Sequence, residues 1–134
     1  MAGAIWCMVE DDRKGLPKKV MAEVLGEAAR LGLGPVEAVW LTDTATDEGL
    51  KQLGEWGAAR IVLLEDAALA PYRAEVWAPI LADLAGREAP KAILAPVTSR
   101  QRELMARLAA RLGVGLSADS VGLTVDGDRL VATR

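Results

Sequence analysis

The sequence predicts an α/β protein of three layers: a mostly parallel β-sheet with helices on both faces, followed by a C-terminal β-hairpin. Three observations carry this prediction. Short apolar runs of strand length alternate with longer stretches of helical periodicity. The runs are apolar on both faces, as strands covered on both sides of a parallel sheet must be. After Gly115 the pattern changes to two short strand-like runs around a polar turn. A chain of 134 residues, 51% of them hydrophobic, suits one domain, 1–134, with a core of its own.

Each element has a local reason. Ala4 to Val9 is a fully apolar strand. Pro17 sits at a tolerated first-turn position and is expected to open a helix, with Val20, Val24, Leu25, Ala28 and Leu31 as its stripe and Gly32 as its stop. Val36 to Leu41 is the second strand. Thr46 is placed to cap the next helix, whose apolar positions are Leu50, Leu53 and Trp56 before Gly57. Arg60 to Leu64 is the third strand. Pro71 to Leu84 is helical in pattern, but Pro79 is expected to break or kink it and to start a second helix. Lys91 to Ala95 is the fourth strand. Thr98 and Gln101 have capping-box spacing for a helix running to Leu112. Val121–Val125 and Leu130–Thr133, around Asp126-Gly127-Asp128-Arg129, read as the hairpin, within a tail of residues 116–134.

Composition excludes several classes. A net charge of −3 leaves no basic footprint for nucleic acid. No apolar run nears the roughly 20 residues that span a bilayer, and no signal-peptide pattern opens the chain. Cys7, the single cysteine, lies in an apolar strand, which suits a reduced, cytoplasmic setting. The lack of Asn and the two Gln residues suit a thermophile and equally a GC-rich genome. With no histidine, neither a Ser-His-Asp nor a Cys-His mechanism can be built, and a zinc site lacks its usual ligands.

In a parallel sheet the strand C-termini share one edge, where ligands usually sit. Here that edge carries Glu10-Asp11-Asp12, Thr42-Asp43, Glu65-Asp66 and Thr98-Ser99-Arg100. Thr98, Ser99 and Arg100, at a helix start, are the nucleotide candidates. No glycine there lets a phosphate approach, the clustered acids would repel a polyphosphate, and neither G-x-G-x-x-G nor a Walker loop is present. Capping is the preferred role of Thr98 and Ser99. The acids come from separate loops without the order of a calcium loop, so solvated loop acids are preferred to a metal site. The last helix sets Leu104, Leu108 and Leu112 on one face and Arg100, Arg107 and Arg111 on another, with Glu103 and Arg107 spaced for an i,i+4 pair. Those three arginines and Trp77 are the interface candidates. Core packing is the preferred fate of every tryptophan.

One family carries this pattern. Thr98-Ser99-Arg100, Arg102-Glu103-Leu104 and Arg107 to Gly113 form its most specific part. Glu10, Gly15-Leu16, Leu63-Leu64-Glu65-Asp66, Tyr72-Arg73-Ala74-Glu75, Ala78-Pro79, Leu116 to Asp119 and Val131 to Arg134 extend it along almost the whole chain. On these residues the chain resembles the N-terminal domain of the electron transfer flavoprotein α subunit. The resemblance implies an adenine-nucleotide-hydrolase-like sheet of order 3-2-1-4-5. It also implies an αβ heterodimer holding FAD, which passes electrons from acyl-CoA and related dehydrogenases to a quinone oxidoreductase. In that family most of the FAD site lies in a C-terminal domain that follows a segment like P-V-Y-A-G, expected just beyond Arg134. The implied role of this chain is therefore that of an isolated or truncated domain, an electron-carrier fragment with no catalytic or FAD-binding residue of its own. It would dock the β subunit through an apolar exposed patch. The alternative is a stand-alone nucleotide-binding module of the universal-stress type.

Overall fold

The computed structural model describes residues 3–114 and the backbone of residues 122–124. The strands are β1 (Ile5–Met8), β2 (Val36–Thr42), β3 (Arg60–Glu65), β4 (Ala92–Leu94) and β5 (Gly122–Thr124). The helices are α1 (Val20–Leu31), α2 (Asp47–Glu55), α3 (Ala74–Glu88) and α4 (Ser99–Leu112), with a 3-10 turn at Ala67–Leu69. The sheet order is β3-β2-β1-β4-β5, as the resemblance implies. The first four strands are parallel and β5 runs antiparallel to β4. The other arm of the expected hairpin and its turn, Asp126 to Thr133, lie outside the described residues.

Strand alternation splits the core in two. Trp6 and Met8 point to one face of β1, where they meet Trp77 and Leu81 of α3 and Leu104 and Leu108 of α4. Ile5 and Cys7 point to the other, with Trp40, Met21 and Leu25 of α1 and Leu53 of α2. Both strand tryptophans are fully buried, on opposite faces. Burial alone pushes the Cys7 thiol up to about 12, because a thiolate there would have no solvation. Glu37, also fully buried, is met by the Arg60 guanidinium at 3.2 Å.

Helix ends follow local chemistry. The Thr46 hydroxyl accepts from the Gly49 amide and the Thr98 hydroxyl from the Gln101 amide. Gly32 and Gly113 close α1 and α4 in the left-handed conformation, which costs glycine nothing.

Four expectations are corrected. Pro17 does not open α1. It pairs with Asp11 in an isolated bridge, and the helix starts at Val20. The Asp12 carboxylate accepts from the Lys14 and Leu16 amides, so the chain folds back on itself before turning helical. Pro79 does not break the third helical region, and α3 runs through it. An interior proline costs about 3 kcal/mol, but an unbroken α3 buries Trp77, Ala78, Leu81 and Ala85 on one face, at about 1.5–3 kcal/mol for each large side chain. The helix starts at Ala74 rather than Pro71, because Asp66 caps the 3-10 turn and leaves Ala70 and Arg73 extended. The capping box is half formed: Thr98 caps, but its own amide bonds to the Pro96 carbonyl, and Gln101 turns elsewhere.

Candidate functional site

The acids of the C-terminal sheet edge are largely spent on holding their own loops. Asp11 accepts from the Trp40 indole at 2.8 Å and from the Arg13 amide at 3.1 Å. The two amides on Asp12 hold its carboxyl below the usual range. Glu65 accepts from the Ala45 amide and Asp66 from the Ala68 amide. Thr46 donates to the Gly15 carbonyl at 2.7 Å, tying the Asp11–Pro17 loop to α2. Among the described residues, no three metal-ligating side chains converge.

Where the connections diverge, between β1 and β4, Gln101 donates to the Glu10 carboxylate at 3.0 Å. Both side chains are buried, and Lys18 stands 3.9 Å from the other Glu10 oxygen. The glutamine that spacing assigned to a capping box thus joins α4 to the end of β1. Ser99 is exposed at the start of α4, and Thr98 is half-buried as its cap.

Beside this lies an open cleft of about 290 Å³ at the C-terminal ends of β1 and β2. Asp11 and Arg13 form one wall, Thr42 and Asp43 the second, and Pro71, Tyr72 and Arg100 the third. The Ala70–Pro71 peptide bond in the third wall is cis. The Arg100 guanidinium lies 4.7 Å from the Tyr72 ring centroid and 6.0 Å from that of Trp77. Tyr72 meets Trp77 edge to face at 4.9 Å, a favoured aromatic geometry. The Tyr72 hydroxyl has two acceptors in reach, the Arg100 carbonyl at 3.2 Å and a Glu103 oxygen at 3.3 Å. Burial, then the Glu103 charge, push this phenol up to about 12, while Arg100 and Arg107 act the other way.

The interface candidates separate on this geometry. Arg107 and Arg111 are exposed on α4, opposite the buried Leu104 and Leu108. Arg100 is half-buried on its aromatic platform. Trp77 is buried in the core, and its indole donates to the Leu69 carbonyl at 3.2 Å. Glu103 faces Tyr72 instead of pairing with Arg107. The exposed large hydrophobics among the described residues are Leu63 and Val97.

Comparison with known proteins decides the family. The model of the electron transfer flavoprotein domain matches residues 5–134. The chain belongs to the electron transfer flavoprotein family. Its curated relatives include Protein FixB of Clostridium saccharobutylicum, 34% identical over 134 residues, an alignment covering 97% of this chain and 40% of that protein. The electron transfer flavoprotein subunit alpha of Clostridium acetobutylicum is 31% identical, with the same coverage. The acryloyl-CoA reductase electron transfer subunit beta of Anaerotignum propionicum is 31% identical over 95% of this chain and 35% of its own length. The chain thus spans about two fifths of the flavoprotein subunits it matches.

Tyr72 and Asp11 organise the cleft; the sequence placed Asp11 among the edge acids but gave neither residue this role. Tyr72 entered only through the family pattern, although it is the sole tyrosine and follows a proline. The pairing of Asp11 with Trp40 had no signal, because the two lie 29 positions apart.

Proposed function

We propose that this chain is the N-terminal domain of an electron transfer flavoprotein α subunit and serves that carrier structurally. It docks the β subunit and supports a flavin-binding domain encoded elsewhere in the polypeptide. The carrier passes electrons from dehydrogenases to a quinone oxidoreductase. The observation that carries the reading is the family match along residues 5–134 to α-type subunits more than twice this chain's length. A relative named as the electron transfer subunit of an acryloyl-CoA reductase supports acyl-CoA oxidoreductases as the class of redox partner.

This cleft does not fit FAD. The cleft of about 290 Å³ is at the small end of ligand sites. Asp11 and Asp43 on its walls oppose a pyrophosphate, and the α4 start offers no glycine for close approach. The flavin is therefore assigned to segments other than this one.

The exposed Arg107 and Arg111 on α4 are the proposed docking residues, since arginine is enriched where proteins meet. Co-expression with the β subunit, followed by sedimentation analysis, tests this. A stable complex is expected, weakened about tenfold or more in the Arg107→Glu/Arg111→Glu variant. A β subunit that ignores this chain, or binds the variant equally well, overturns the assignment.

A further inference from the structure

We propose that the cleft between the Asp11–Pro17 loop, the end of β2 and the Tyr72–Arg100 pair binds a small monoanion carried on a flat apolar body, an aromatic carboxylate. Nothing in the docking role requires such a site.

Two cations face the same concavity. Arg13 and Arg100 both line it, and neither meets a carboxylate among the described residues. Arg100 is also pre-positioned, since its guanidinium rests over the Tyr72 ring. Stacking uses the guanidinium's face and leaves its in-plane N–H donors to grip a carboxylate or phosphate.

The acids on the walls set the charge limit. Asp11 turns its oxygens to the Trp40 indole and the Arg13 amide, so its lone pairs are engaged away from a ligand. Asp43 is exposed on the wall and has no partner among the described residues. One negative charge facing two arginines is favoured. A chain of phosphates would bring further charge against Asp43.

The remaining walls choose the body. Leu41, Leu69, Pro71 and Trp77 are apolar or flat, and Tyr72 stands edge-on to Trp77. A cleft of about 290 Å³ holds one ring and its anionic group, not an extended cofactor.

The test is a nuclear magnetic resonance titration of the chain with benzoate, phenyl phosphate and the neutral benzyl alcohol. Saturable amide shifts are expected at residues 41–43, 69, 70, 72 and 100 for benzoate, with benzyl alcohol at least about tenfold weaker and phenyl phosphate, close to a dianion at neutral pH, no tighter. Arg100→Met should weaken the anion about tenfold or more, since charge-assisted hydrogen bonds are lost. Asp43→Asn should strengthen it by about threefold through relief of repulsion. Lys51→Ala, on exposed α2 surface, should leave it unchanged. Equal binding of benzyl alcohol overturns the proposal, as does tighter binding of phenyl phosphate or silence with benzoate. So does an Asp43→Asn variant that binds no better, even if Arg100→Met fails to fold. Assembly with a β subunit is read separately and stands or falls on its own.

Discussion

Tyr72 is the one tyrosine of the chain, so its titration can be followed without interference. A free phenol loses its proton near pH 10, whereas burial and Glu103 push this one up to about 12. Between those values the unfolded chain has lost the proton and the folded chain keeps it. Stability therefore falls as pH rises through that window, and below it the contribution is complete. The ultraviolet tyrosinate titration is expected to show a midpoint well above the free value. Glu103→Gln should lower it and Arg100→Met should raise it, since Arg100 favours the phenolate. A midpoint at the free value would mean that the hydroxyl is not held against α4. None of this was legible in the sequence. Tyr72 and Glu103 lie 31 positions apart, and no local pattern relates them.

At the level of elements, helix α2 contains two glycines whose substitution should have opposite signs. A Cβ on Gly49 would stand 2.5 Å from the Gly15 carbonyl oxygen and 2.7 Å from the Trp40 ring. Gly49→Ala is expected to destabilise the chain by about 1–3 kcal/mol through overpacking. Gly54 is exposed and has open space around it. Gly54→Ala should therefore stabilise by up to about 1 kcal/mol through helix propensity. Urea denaturation of both variants checks the pair, and matching signs would contradict the packing described for α2. The elements themselves were largely legible, because strand runs, caps and glycine stops are local signals. Thr46, Thr98 and Gly32 act where the pattern placed them. The prolines misled for a different reason. Pro17 was overruled by the Asp12 turn and Pro79 by the apolar face of α3, and both outcomes depend on partners that a propensity does not contain.

For the whole molecule, the chain alone is expected to purify colourless. Its cleft is too small for FAD, and visible flavin absorption at stoichiometric level would overturn that expectation. Sheet order became legible only through the family motif, since alternating strands and helices are shared by many folds. The cleft stayed hidden because it draws on segments following β1, β2 and β3 and on the start of α4. The edge acids looked free in sequence and are mostly engaged in space, because their partners are backbone amides and one indole. The Asp11–Pro17 loop shows what that engagement does. It is fastened to the core through Trp40 and to α2 through Thr46, so it has little slack to lose. An arriving molecule would meet a wall that is already ordered. It would largely avoid the entropy of about 0.5–1.5 kcal/mol that each newly immobilised side chain costs.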